Sequence, residues 1–226
     1  MKNKIFAVML IIAAIVFLNA VALGADMKTP AGSEMRKQMS QNTTCIMPSE
    51  ENLRLALRTL WNEHIVWTRL AIMSLASSSD DKVPVLNRLL KNYGDMAYGL
   101  KPFYGNENGD NYGNLIKEHL LIAAELVEAA KAGNATAVTD ADKRWHENAD
   151  KIAAFENTIN PNLKLQDRKD MWDNHLNLTK TEAVAILTKD YPTSISTFDM
   201  IEQQAIMMAD SLTNAIVEQF PDKFKA

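Results

Sequence analysis

From residue 49 to about residue 220, apolar side chains recur every three to four positions, and no stretch sustains a two-residue alternation. That period predicts helices and no sheet. The first helix is expected over 50–77, with Leu53, Leu57, Leu60, His64, Trp67, Ala71 and Leu75 on one stripe. The second spans 83–103, with Leu86, Leu89, Leu90, Tyr93, Ala97 and Leu100 inward. A Gly/Asn-rich loop follows from Gly105 to Gly113. The third helix, 112–132, buries Leu115, Ile116, Ile122 and Leu126 and ends at Gly133, a residue suited to a left-handed C-cap. The fourth, 137–158, carries Trp145, Ile152 and Phe155 and breaks at Asn160-Pro161. The fifth, 166–190, carries Met171, Trp172, Leu178 and Ile186 and ends at Tyr191-Pro192. The sixth, 194–219, carries Ile201, Ala205, Met208, Leu212 and Ile216. The expected fold class is therefore all-α: a six-helix antiparallel bundle built from three helical hairpins, 49–105, 110–160 and 165–220.

The start of the chain reads differently. Lys2 and Lys4 precede an almost wholly apolar run, Ile5 to Leu23, and Ala20, Ala22 and Gly24 are small residues suited to cleavage. Residues 1–24 read as a secretory signal peptide, or as an uncleaved anchor through which residues 5–23 tether the protein to a membrane. Either places the rest of the chain in the cell envelope or outside the cell. Residues 25–48 are polar and read as a flexible linker, before Ser49-Glu50-Glu51-Asn52 opens the first helix. The formal net charge is −4, and removal of Lys2 and Lys4 with the leader makes it −6. An acidic chain argues against a nucleic-acid partner. Cys45 is the single cysteine and cannot form an internal disulfide.

Within the helical region three histidines repeat, at His64, His119 and His175, spaced by 55 and 56 residues. All three lie on apolar faces, and a repeat of this length implies one supersecondary unit copied and packed against itself. An aspartate recurs on each return helix: Asp95, Asp150 and Asp210, separated from its histidine by 31, 31 and 35 residues. The midpoints fall at 79.5, 134.5 and 192.5, close to the expected turns, so each aspartate should face its histidine at one height of its hairpin.

Such a layer has two readings. Imidazoles with carboxylates suit a divalent metal ion such as Zn, Mn, Fe or Cu(II), or another small ligand, with the aspartates as direct ligands or as acceptors from metal-bound imidazoles. Equally, each His–Asp pair could be a buried hydrogen bond that fixes helix register in a non-catalytic envelope scaffold or interaction protein. A third class, an enzyme with one His–Asp pair as general base, would need an open pocket at that pair. No Glu-x-x-His pair of the di-iron bundles occurs, and Glu63 and Glu118 point away from the histidines beside them. His146, the fourth histidine, reads as a rim residue, and Arg69 as a solvent-reaching or anion-facing cation. Met200, Met207 and Met208 read as core. Neither a phosphate-binding glycine loop nor a serine nucleophile elbow is present, and Asn106 to Asn111 lacks the EF-hand spacing.

Several stretches carry a resemblance: Leu60-Trp61 through His64 to Trp67-Thr68-Arg69, Asn87 to Asn92, Leu100 to Gly105, Glu118-His119 to Gly133, Arg144-Trp145 with Glu147 to Asp150, and His175-Leu176 to Glu182-Ala183. In these the chain resembles a group of small exported helical proteins of bacteria and archaea with no established role. Members of that group often carry labels such as acetylglutamate kinase or glycosyltransferase. Both activities need nucleotide-handling α/β folds, which this helical pattern does not support. The group favours tyrosine where this chain has His146, so the resemblance implies no role for that residue.

Overall fold

A computed structural model describes residues 48–225; the leader, nearly all of the linker and Cys45 lie outside the described residues. The described chain is all-helical, 91% helix without a strand. Five helices follow one another: α1 (Pro48–Ser77), α2 (Lys82–Ala132), α3 (Ala135–Ile159), α4 (Leu165–Thr188) and α5 (Tyr191–Gln219), with a final 3-10 turn at Pro221–Lys223. Each packs on the next, and α5 closes back onto α1. The core they enclose holds Trp61, Trp145, Trp172, Leu100, Ile116 and Ile152, each at most 2% exposed.

The expected second and third helices are one unit, and the Gly105–Gly113 loop between them is helix instead. Gly105 alone reverses the chain, with φ 79° and ψ 171°. Only glycine adopts that region without strain. In a straight helix residues 97 and 113 would lie about 24 Å apart. Here a Cβ placed on Gly113 would sit 2.8 Å from the Ala97 Cβ, and one on Gly109 would sit 2.8 Å from the Ala97 carbonyl oxygen. The arms 82–104 and 106–132 therefore run back along each other, and two hydrogen side chains let their backbones touch. Across the reversal, Asn108 Nδ2 donates to the Tyr104 carbonyl oxygen at 3.1 Å.

The other connections are short and capped. Gly133 takes the left-handed conformation and its N–H closes on the Ala129 and Ala130 carbonyls, while the Asn134 side chain accepts from the Ala137 N–H. Lys189 repeats that left-handed C-cap, and the Asp190 carboxylate accepts from the Thr193 N–H. The turn thus falls at 189–190, ahead of Tyr191-Pro192. Pro192 does not end a helix but begins one, in the first turn of α5, where its missing N–H would have no helical partner.

One end of the bundle holds a buried ion pair. Glu156 accepts from Arg168 Nε at 2.7 Å and Nη2 at 3.1 Å, from Trp172 Nε1 at 3.2 Å and from Tyr112 Oη at 3.4 Å. Both charges are 1% exposed, and every contact of the carboxylate comes from a donor. On α5, Met208 is core as expected, but Met200 and Met207 are 43% and 55% exposed because they point off the stripe that faces α1 and α4.

Candidate metal centre

His64 on α1, His119 on the second arm of α2 and His175 on α4 converge at the middle of the bundle, each 1% exposed. Their ring centroids are 5.6, 6.0 and 6.1 Å apart. One ligand nitrogen from each lies within 4.8 Å of the other two. Metal–nitrogen bonds of 2.0–2.1 Å place three such nitrogens about 3.3–3.6 Å apart, so closure needs ring movements of about 1 Å at most.

Each imidazole faces an amide on the return segment of its hairpin, not an aspartate. His64 Nδ1 lies 3.1 Å from Asn92 Oδ1, and Asn92 Nδ2 donates to the Leu60 carbonyl oxygen at 3.0 Å. His175 Nδ1 lies 3.1 Å from Gln204 Oε1, and Gln204 Nε2 donates to the Met171 carbonyl oxygen at 2.9 Å. In the middle copy Asn148 Nδ2 donates to the Leu115 carbonyl oxygen at 3.2 Å. Asn148 Oδ1 and His119 Nδ1 are both buried without a hydrogen-bond partner, although Asn148 draws the His119 pKa upward. In all three cases the amide N–H reaches the carbonyl four residues before the histidine, and at His64 and His175 this turns the amide oxygen toward the ring. An oxygen can only accept, so at His64 and His175 Nδ1 carries the proton and Nε2 keeps its lone pair. His175 Nε2 is buried with no partner in the protein.

The aspartates are elsewhere. Asp210 lies between Arg58 and Arg54, with Arg58 Nε and Nη2 donating at 2.7 and 2.6 Å. Asp150 is exposed and pairs with Lys169 at 3.0 Å. Asp95 lines a shallow surface depression with Lys117 and Tyr93. No carboxylate reaches the imidazoles. Desolvating three carboxylates at the core would cost more than an amide layer does, and the amides supply the same acceptor without charge. The histidine-to-amide midpoints are residue 78, then 133–134 and 189–190, which are the observed turns. Placing the third turn at 189–190 moves the midpoint argument from Asp210 to Gln204, while at the first two turns spacing does not separate Asn92 and Asn148 from Asp95 and Asp150.

Burial drives the electrostatics. It pulls the His64 pKa down to about 4 and that of His175 to about 3, each only partly opposed by its amide. His119 is held well below the ordinary value, first by burial and then by repulsion from the other two rings. All three are neutral at pH 7, the form that binds metal. Three indoles pack around them: Trp61 is 5.5 Å from His64, Trp145 is 5.2 Å from His119, and Trp172 is 5.3 Å from His119.

Beside the rings lies a cavity of about 30 Å³, walled by Ile72, Leu75, Leu89 and Val127 and by Thr68, Trp145, Thr179 and Lys180. A second apolar cavity of similar size shares Leu126, Val127, Lys180 and Ala183 with it. Lys180, almost fully buried, lies 3.0 Å from Asp142 Oδ1 and 3.2 Å from His146 Nε2, and His146 Nδ1 lies 3.2 Å from Asp173. His146 is thus a rim residue that helps anchor the ammonium. Arg69 neither reaches solvent freely nor faces an anion site; it pairs with Glu182 and lies over the Phe198 ring at 4.9 Å. Among the described residues no helix is long and apolar enough to cross a membrane. No protein-family model, curated protein or solved structure matches the chain.

Proposed function

We propose that His64, His119 and His175 bind one transition-metal ion through their Nε2 atoms in an exported helical protein. One observation carries this reading: three neutral imidazoles present ligand nitrogens mutually within 4.8 Å, and His175 Nε2 has no other partner. Asn92, Asn148 and Gln204 serve as the supporting acceptors that fix ring tautomer and direction. Copper and zinc fit a three-imidazole site. Imidazole also suits iron and nickel, whereas manganese favours oxygen ligands, and no carboxylate reaches these rings. Between copper and zinc, Cu(I) has the advantage of charge, because a buried +2 without an anion is costly. Export rests on the leader-like residues 1–24. The recurrence of one histidine and one amide about each of three turns supports descent of the bundle from three copies of a single hairpin.

A structural layer is the second reading, favoured by the close packing of Trp61, Trp145 and Trp172 on the same rings. Metal analysis of untagged protein separates the two. The proposal expects one copper or zinc per chain, lost in a His119→Ala variant. If no metal co-purifies and titration with Cu(I), Cu(II), Zn and Co shows no binding, the layer is structural.

A further inference from the structure

The three histidines leave a metal ion with at least one open coordination position, and what surrounds that position is distinctive. Thr68 and Thr179 each follow a triad histidine by four residues, so they occupy equivalent places on α1 and α4. Thr179 Oγ1 donates to the His175 carbonyl oxygen at 2.8 Å, the common outcome for a helical threonine. Thr68 Oγ1 does not: it is buried without a partner in the protein, and Thr68 lines the cavity beside the rings. Trp145 lines the same cavity, and its Nε1, also buried, likewise has no partner. The residues that carry these two hydrogen-bond donors and the unpartnered His175 Nε2 all line one small space. No carboxylate lines it, and the one cation, Lys180, is engaged by Asp142 and His146.

We propose that the metal's open position faces this cavity and takes one small uncharged diatomic ligand, of the class of carbon monoxide or dioxygen, whose outer atom accepts a hydrogen bond from Thr68. The inference rests on the metal reading above. Size limits the ligand, since a cavity of about 30 Å³ holds two or three water-sized atoms at about 10–15 Å³ each. Charge limits it too, because aliphatic walls give an anion nothing to replace its hydration. The adjoining cavity past Leu126 and Val127 continues the apolar lining and offers such a molecule a route.

The test loads the full chain with one equivalent of Cu(I) under argon and adds carbon monoxide. A single new C–O stretch in the infrared is expected. Thr68→Val keeps the shape and the copper stoichiometry, moves that stretch and weakens carbon monoxide binding about five-fold, the worth of one neutral hydrogen bond. Thr68→Ser restores both, and Trp145→Phe is the second probe of the same contact. Copper bound at one equivalent without a carbon monoxide signal overturns the inference and leaves the metal reading intact. An unchanged stretch and affinity in Thr68→Val also overturns it. Absence of Cu(I) binding, or binding untouched by His119→Ala, removes the metal reading and this inference together.

Discussion

Acidification from pH 7 to pH 5 should strip stability from the metal-free protein through the triad. The rings are buried neutral, with His64 pulled to about 4 and His175 to about 3. In the unfolded chain each titrates near 6.5. Between these values the unfolded state binds protons that the folded state refuses, so stability falls as pH falls. From pH 7 to pH 5 each such ring costs about 2 kcal/mol, hence about 4 kcal/mol for His64 and His175, with His119 adding in the same direction. A domain of this size holds about 5–15 kcal/mol in all. Other groups act elsewhere or oppositely. Burial raises the Glu182 carboxyl, which favours the folded state as pH drops; the hydrogen bond with His146 lowers Asp173 and Arg58 lowers Asp210, so their contributions fade as pH falls below about 5. Urea melts of chelator-treated protein at pH 7, 6 and 5 read the effect. At about 2 kcal/mol per molar urea, the midpoint should fall by about 2 M. Removing one ring, as in His175→Leu, should cut the pH dependence by about 2 kcal/mol. A midpoint shift below about 0.5 M would refute neutral burial of the triad.

Glu156→Gln leaves Arg168 buried without its counter-charge and should cost about 3–5 kcal/mol in a urea melt, with a loss under 1 kcal/mol contradicting the pairing. Gly109→Ala should destabilise by about 1–3 kcal/mol because its Cβ meets the Ala97 carbonyl, whereas Gly94→Ala meets nothing within 4 Å and should stabilise by about 0.5–1 kcal/mol; thermal melts of the pair check both. Asn92→Ala should lower copper or zinc affinity by about 10–100-fold by competition titration. Asp150→Asn should leave that affinity unchanged and alter stability by no more than about 0.5 kcal/mol, and a metal defect there would restore the aspartates to the site.

The helical pattern carried most of the architecture, because the stripes through Leu57, Ile116, Ile152 and Ile216 report burial directly. It failed at 105–113, where three glycines and three asparagines suggested a loop. One glycine made the reversal, and Gly109 and Gly113 were needed for close approach, a tertiary demand that local composition does not reveal. The triad was legible from spacing, since histidines 55 and 56 residues apart on apolar helix faces meet at one level of the bundle. Their partners were not: a search weighted toward charged acceptors passed over Asn92, Asn148 and Gln204. Reading Tyr191-Pro192 as a stop rather than a start then shifted the third midpoint toward Asp210. Thr68 could not be told from Thr179 by any pattern, because the difference lies in which of two hydroxyls turns back to its own helix.

The indoles around the triad have an optical consequence. Of the four tryptophans in the chain, Trp61, Trp145 and Trp172 each lie within 5.5 Å of a triad ring centroid, while Trp67 sits apart beneath the Arg88 guanidinium. In a Trp67→Phe protein, ultraviolet emission would come wholly from chromophores touching the centre. Such a protein reports on its own core without a dye: paramagnetic Cu(II) arriving at the imidazoles should darken it, and diamagnetic Zn should alter its colour more than its brightness.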